Sequence, residues 1–168
     1  MSRELAGAIF TKIDTEAQFP LGSVAVDASG RKYRYVRWFN GSSGMTAVAG
    51  FMAYGVDTAD GVWDCASDGD STVPKVLLGR PMGQLQAVMT DGTYGWVQFY
   101  GINKQAFLTT NAVAQDEILI GTTNEGEVDG VAGLANVTAG AIGTALEDDS
   151  GTALAAGSAF LDCYPGTG

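Results

Sequence analysis

Residues 22–38 read GSVAVDASGRKYRYVRW, and this stretch decides the fold of the chain. Small and β-branched residues come first, Ser29-Gly30 is a typical tight-turn pair, and a run of aromatic and basic residues follows. The pattern predicts two antiparallel strands joined in a hairpin. Successive side chains of a strand point to opposite faces. The second strand is therefore expected to place aromatic and apolar groups on both faces, with Tyr33 and Tyr35 on one and Val36 and Trp38 on the other.

A second hairpin is predicted over residues 84–100. Asp91-Gly92 is a pair that favours type I′ turns, and it stands between Gln84–Thr90 and the aromatic run Tyr94–Tyr100. Shorter apolar runs separated by Gly, Asn, Asp and Thr fill the remainder of the chain. They predict further strands near residues 45–54, 76–78, 106–108, 117–120, 128–134, 141–146 and 159–164.

No helical period of hydrophobic residues persists for about 12 residues anywhere in the sequence. We therefore predict a mainly β fold, in which many short antiparallel strands close into a barrel or sandwich. Residues 1–18 show neither alternation nor turn signals, so they are expected to form an extended N-terminal arm outside the core. Residues 19–168 are expected to form a single β-rich domain. The polar stretch near residues 57–75 is expected to be a long loop.

The charge of the chain is distributed unevenly. The formal net charge is −10 at pH 7, of which residues 1–40 contribute +2 (six basic and four acidic groups) and residues 41–168 contribute −12 (three basic and fifteen acidic). An acidic body repels phosphate and anionic lipid, so we expect neither nucleic acid nor a membrane as partner. The apolar stretch at residues 5–10 is too brief for a signal peptide or a membrane span. The basic N-terminal region is expected to face an acidic partner or the acidic body of a second copy.

The sequence lacks the residues of the common catalytic sites. It contains no histidine, which excludes His-dependent nucleophile activation and the usual ligands of catalytic zinc. Pairs such as Asp148-Asp149 leave carboxylate chemistry open in principle, but this pair is more typical of a solvated turn. Asp64, Asp68 and Asp70 do not fit the EF-hand pattern, and a polar loop is preferred over an irregular cation site. We therefore expect no enzymatic activity, no metal and no cofactor.

The two cysteines, Cys65 and Cys163, match no metal or redox motif in their spacing. Partly buried free thiols are the preferred interpretation, because free Cys behaves as a small hydrophobic residue. Whether the two pair stays open at this point.

Several of these segments resemble the decoration, or cement, proteins of tailed bacteriophages. The resemblance rests on FPLGSV at residues 19–24, on the hairpin from Asp27 to Val36, on YGWVQFYG at residues 94–101 and on the short strands that follow. It covers most of residues 19–164 loosely. It implies a virion protein, made in the host cytoplasm, that binds the outer capsid surface as a homotrimer and stabilises the shell by bridging major capsid subunits. The residues expected to contact the capsid are Phe10, Phe19, Arg31, Arg34, Arg37 and Trp38.

A second interpretation is a phage head-fibre or adhesin-type module that binds a host-surface glycan. Its candidate platform is the strand face that carries Trp96 and Tyr100. Aromatic residues in short strands more often lie in the core or in a subunit interface than on a sugar-binding surface. Glycan binding by the isolated protein would favour this interpretation, whereas loss of shell stability on removal of the protein would favour decoration.

Overall fold

The structure is a computed structural model that describes residues 8–39, 47–56, 63–67, 76–107, 112–121, 126–131, 141–148 and 156–163. Within these ranges every regular element is a strand and there is no helix. The prediction of a mainly β fold whose strands close into a barrel or sandwich is confirmed, and the closure is a barrel. The strands are β1 (Val24–Val26), β2 (Lys32–Trp38), β3 (Met52–Val56), β4 (Asp64–Ala66), β5 (Val76–Leu85), β6 (Tyr94–Phe107), β7 (Ile118–Gly121), β8 (Val128–Val131), β9 (Ala141–Ala145) and β10 (Ala156–Asp162).

Five of these strands close into a barrel. They follow the order β2-β4-β3-β5-β6, and β6 returns to pair with β2. Neighbours are antiparallel except β2 and β4, which run parallel. Closure satisfies the hydrogen-bonding edges that an open sheet of these strands would expose. The interior is filled by fully or almost fully buried apolar side chains, among them Trp38, Met82, Leu85, Met89 and Val97.

The second half of the fold is an antiparallel sheet that grows from the same strand β6. Beyond the barrel, β6 pairs with β10, and β9, β7 and β8 follow in that order. This sheet covers the outside of β3, where Met52 and Tyr54 pack with Leu119, Ile142 and Leu161 in one buried cluster. The two halves therefore share a strand and a core.

A bend in β6 marks the passage from the barrel to the second sheet. Gly101 adopts φ +94°, a left-handed conformation that favours glycine. The buried Gln98 side chain spans the bend, because its Nε2 donates to the carbonyls of Gly101 (3.2 Å) and Ile102 (3.1 Å). The bend is thereby fixed, and it leaves Ile102 and Lys104 exposed after it.

The first predicted hairpin is confirmed, since β1 and β2 pair antiparallel with Ala25 opposite Tyr33. The aromatic and apolar side chains of β2 divide between two buried clusters as the alternation predicts. Tyr33 and Tyr35 belong to one cluster, and Val36 and Trp38 belong to the barrel interior.

The second hairpin is confirmed in its pairing and corrected in its turn. β5 and β6 pair antiparallel, with Gln84 opposite Gln98. In the turn, the Thr93 amide donates to the Thr90 carbonyl (3.0 Å). Only Gly92 has a positive φ, +75°. A type I′ turn needs positive φ at both central residues and a type II turn needs it at the second, so the predicted type I′ turn is wrong.

The stretch predicted as a long loop contains a strand. β4 is fully buried and pairs with both β2 and β3. Its polar residue Asp64 is tolerated inside because Arg37 pairs with it, a contact between distant parts of the sequence. The stretches 57–62 and 68–75 lie outside the described residues. The later predicted strands are confirmed as the end of β6 and as β7 to β10, with shifted bounds.

The described part of the predicted arm lies against the barrel. The Phe10 ring stacks on the Tyr33 ring with centroids 3.8 Å apart. Asp14 exchanges two backbone hydrogen bonds with Tyr94, at 2.9 and 2.8 Å. Ile13 packs against the cluster that fills the barrel. The division of the chain into an arm and a domain stays a prediction. The side chains of Phe10 and Ile13 and the backbone of Asp14 nevertheless contact the β-rich body.

Asp14 is the polar anchor of this segment. Its buried carboxylate accepts a hydrogen bond from the Tyr35 hydroxyl (2.8 Å) and pairs with Lys12 (2.6 Å). Burial by itself raises the pKa of Asp14, but the hydrogen bonds from Lys12 and Tyr35 outweigh it and hold the pKa below the ordinary value of 3.8. Burial raises the pKa of Tyr35 to about 12, so its hydroxyl remains a donor at neutral pH.

Acid is expected to weaken this anchor. A carboxyl group whose pKa is lowered by folding stabilises the native state fully above the pKa of the unfolded chain, here near 3.8. That contribution is lost as the pH falls through the lower native value. Urea unfolding at pH 6 should show Asp14→Asn to be less stable than wild type, and at about pH 3 the gap should shrink. An equal gap at both pH values would show that the carboxylate charge does not hold the segment.

Candidate functional site

The described surface contains a groove of about 830 Å³. It lies between the N-terminal segment 8–11 and β6 just beyond the bend. Ile9 and Phe10 line it from one side, and Ile102 and Lys104 line it from β6. Because β6 is held by pairing with β10 and the segment is anchored at Phe10, both walls belong to fixed parts of the fold.

The groove is apolar at its rim. Ile9 is 60% exposed and Ile102 is 50% exposed, and both line it. Single exposed aliphatic residues are common, but two that face one concavity are typical of an interaction site. The interior wall adds the polar side chains of Gln98 and Asn103, which are nearly fully buried.

The charge of the groove is opposite to that of the chain. Among the described residues that line it, none is acidic and two, Arg31 and Lys104, are basic. Lys104 is exposed and forms no ion pair with any residue of the described ranges. In a protein of net charge −10, the groove is thus a local basic site.

Arg31 is held by the turn between β1 and β2. Its Nε donates to Asp27 Oδ2 at 2.6 Å. Asp27 also accepts backbone N–H groups from Ser29 (2.9 Å) and Arg31 (3.0 Å). Burial raises the pKa of Asp27, but the Arg31 side chain and these amides outweigh it and lower the pKa. Arg31 is therefore positioned at the groove while Asp27 offsets part of its charge.

Two of the predicted contact residues, Phe10 and Phe19, are half-buried in an aromatic cluster. The Phe19 ring lies 5.3 Å from the rings of both Tyr35 and Trp96. The Phe10 ring meets Trp96 edge-on at 5.7 Å. Both phenylalanines cover the outer face of β2 and β6, and Phe10 also borders the groove. Their part in binding a partner stays a prediction, as does that of Arg31.

The other three predicted contact residues have internal roles. Trp38 is fully buried in the barrel. Arg34 is 7% exposed, with its guanidinium 4.9 Å from the Trp63 ring and 4.4 Å from the Phe99 ring. These two residues offer a partner almost no surface unless the barrel opens. Arg34 and Trp38 were predicted as contact residues because the alternation of β2 shows two apolar faces. It does not show that the fold covers both faces.

Arg37, the third of these residues, pairs with Asp64. Its Nε lies 2.7 Å from Oδ1 and its Nη2 lies 2.5 Å from Oδ2. The Asp64 side chain is 1% exposed and that of Arg37 is 23% exposed. Two parallel charge-assisted hydrogen bonds of this kind fix β4 beside β2. Arg37 is thus held in an ion pair with Asp64, and its part in binding a partner stays a prediction.

Three residues of the groove were not predicted from the sequence: Ile9, Ile102 and Lys104. Ile102 and Lys104 are on the same face of a strand, directly after a glycine. An exposed apolar residue two positions from a basic one is a weak signal by itself. It indicates a binding site only because the fold places Ile9 on the opposite wall of the groove.

The predicted glycan platform is not exposed. Trp96 is 2% exposed and lies under Phe10 and Phe19. Tyr100, on the same strand, is half-buried between Lys32, whose Nζ lies 4.5 Å from the ring centroid, and the Phe160 ring at 5.4 Å. The two rings therefore serve separate packing contacts, and the expectation of a shared sugar-binding face is corrected.

Both thiols are free and buried, as the preferred interpretation expected. Cys65 Sγ donates to the Arg37 carbonyl (3.4 Å), and Cys163 Sγ donates to the Ile142 carbonyl (3.2 Å). Burial raises the pKa of both thiols far above neutrality, so neither is a reactive thiolate.

The described ranges contain no group of three or more His, Cys, Asp or Glu side chains placed to hold a metal ion. Asp68 and Asp70 of the possible cation site lie outside these ranges. The same part of the chain has no helix of the length and hydropathy needed to cross a membrane.

The architecture defines a class: a closed five-stranded β-barrel that continues through one strand into a second antiparallel sheet. No protein family matches the chain, and no curated protein matches it in sequence. Among solved structures, it is similar to the head fiber gp8.5 N base of bacteriophage phi29, with a TM-score of 0.50 and 10% sequence identity. The match covers 79% of this chain and 95% of the other. At this identity the likeness is one of fold.

Proposed function

We propose that this chain is a non-enzymatic structural protein of a tailed-bacteriophage head, bound to the outer surface of the capsid. The observation that carries the proposal is the similarity of its fold to the phage head fiber base, which extends over 95% of that structure. Two further observations support it: the sequence has no histidine, and both thiols are buried and protonated.

The proposed mechanism is capsid stabilisation by bridging. A protein that binds two neighbouring major capsid subunits adds its contacts to those that must break when the shell opens. Ligands of the native assembly raise its stability by mass action, and bridging ligands also oppose separation of the subunits. We further propose that the chain acts as a homotrimer, so that a symmetric assembly engages several subunits at once.

The same structural neighbour favours a second candidate, the base of a head fibre. In that case the chain anchors a projecting segment to the shell, and the shell itself gains little stability. The two candidates share the docking step and differ in its consequence for the shell.

One experiment tests both. Purified protein is mixed with undecorated shells assembled from the major capsid protein of the same phage. We expect saturable co-sedimentation and a higher temperature of shell disruption, because bridging contacts must break as the shell opens. Sedimentation equilibrium of the protein alone should give the mass of a trimer.

The control for this experiment uses shells whose binding sites are already saturated with the protein. Such shells should bind no additional protein. Binding without a change in the disruption temperature would favour the fibre base over the bridging protein. No binding at any salt concentration would contradict the proposed head-surface function.

A further inference from the structure

We propose that the groove between residues 8–11 and β6 is the docking site for an extended segment of the major capsid protein that carries an apolar side chain next to a carboxylate. This inference rests on the proposed function, and it names the surface and the chemistry of the contact. It replaces the predicted basic face of β2 as the docking site, because Arg34 and Trp38 are buried.

The apolar part of the contact is set by Ile9 and Ile102. Both side chains are at least half exposed and line the same groove, whereas the remainder of the aromatic and aliphatic residues nearby are covered. An aliphatic or aromatic side chain of the partner inserted between them would remove both from water. This burial is the kind of central apolar contact that dominates binding energy at protein interfaces.

The charged part of the contact is set by Lys104 and Arg31. Within the described part of the chain the groove has basic lining residues and no acidic one, although acidic residues outnumber basic ones by 19 to 9 in the full sequence. The charge of Arg31 is offset in part by Asp27, so Lys104 is the principal cation offered to a partner. A carboxylate of the docking segment complements it and excludes basic competitors.

The groove is built before any partner arrives. Gln98 fixes the bend of β6, the Asp27 carboxylate fixes the hairpin turn, and Phe10 is stacked on Tyr33. A site whose walls are already ordered spends less binding energy on ordering them.

A second copy of this chain is the weaker candidate for the occupant. Each copy carries a net charge of −10, so two copies repel each other before any groove contact forms. This repulsion is not an argument against a capsid segment that presents a single local carboxylate to the groove. The test below separates the two occupants.

The test compares two double variants with matched chemistry. The groove variant is Ile102→Ser with Lys104→Gln, and the control is Val88→Ser with Thr90→Glu. Each variant loses one exposed aliphatic side chain, since Ile102 is 50% and Val88 is 58% exposed. Each lowers the net charge by one, and the two changed positions have the same spacing. Neither Val88 nor Thr90 lines the groove.

We expect the groove variant to bind undecorated shells about tenfold more weakly than wild type, and the control to bind like wild type. Both should unfold at nearly the wild-type temperature, because the changed side chains are exposed. Binding by wild type should weaken as salt rises from about 50 to 500 mM, and binding by the groove variant should depend less on salt. Ile9→Ser, on the opposite wall, provides a second groove variant should the first be unstable.

Three results would overturn the inference. Equal shell binding by the two double variants, with wild-type binding intact, refutes the groove alone and leaves the proposed function standing. Loss of self-association in the groove variant with unchanged shell binding assigns the groove to a second copy. Failure of wild type to bind shells refutes the proposed function and the capsid segment together.

Discussion

Replacing Arg37 by methionine is expected to lower the free energy of unfolding by about 3–5 kcal/mol, the range for breaking a buried ion pair. The Asp64 carboxylate is 1% exposed, and it would lose both contacts from the guanidinium. A buried carboxylate deprived of its cation is costly because the interior solvates charge poorly. Urea unfolding followed by tryptophan fluorescence measures the loss.

Arg31→Met is the matched control for Arg37→Met. It makes the same chemical change in a pair whose arginine side chain is 43% exposed. Exposed pairs of this kind contribute only about 0–1 kcal/mol. The double variant Arg37→Met with Asp64→Leu should recover much of the lost stability, because it removes the stranded charge. If Arg37→Met costs no more than Arg31→Met, the pair is not structural and Arg37 becomes a docking candidate again.

Deleting residues 1–18 is expected to destabilise the body by at least about 3 kcal/mol, which corresponds to about 6–12 °C in the unfolding temperature of a chain of this size. The deletion removes the Phe10 ring from Tyr33 and the Asp14 hydrogen bond from the Tyr35 hydroxyl. It also uncovers Trp96, which is 2% exposed in the complete chain. Calorimetry gives the temperature, and a red shift of tryptophan emission reports the exposure of Trp96.

The control for this deletion is a chain shortened by residues 1–7 only, which keeps the contacts of Phe10, Ile13 and Asp14. We expect it to unfold at a higher temperature than the chain shortened by residues 1–18, because it keeps these contacts. Equal stability of the two truncated chains and wild type would contradict the covering role of the segment. It would also restore the simpler expectation from the sequence, an arm that is dispensable for the fold.

The fold could be predicted from the sequence where local signals act alone. The period-two alternation of residues 22–38 and the turn pair Ser29-Gly30 are local, and the hairpin they predict is present. β4 could not be found in this way, because three residues within a polar stretch have no periodicity of their own. It is a strand because its neighbours in space, β2 and β3, supply its hydrogen bonds.

The candidate site could not be predicted from the sequence, because it too depends on contacts between distant parts of the chain. Both faces of β2 bear large side chains, and the sequence alone does not reveal which face stays in contact with solvent. Barrel closure covers one face with Met82 and Val97, and the N-terminal segment covers the other with Phe10. Two of the docking residues assigned from β2, Arg34 and Trp38, are therefore buried. The groove depends on residues 8–11 meeting residues 102–104, and no local pattern predicts that meeting.

The single strand shared by the barrel and the second sheet has a mechanical consequence. The connection between the two sheets is β6 itself, which is hydrogen-bonded to β2 and β5 in one half and to β10 in the other. A force applied to either half is therefore transmitted to the other through the paired backbone of β6, without a flexible linker between them. If the chain bridges capsid subunits as proposed, it would transmit strain between its contact points as one stiff body.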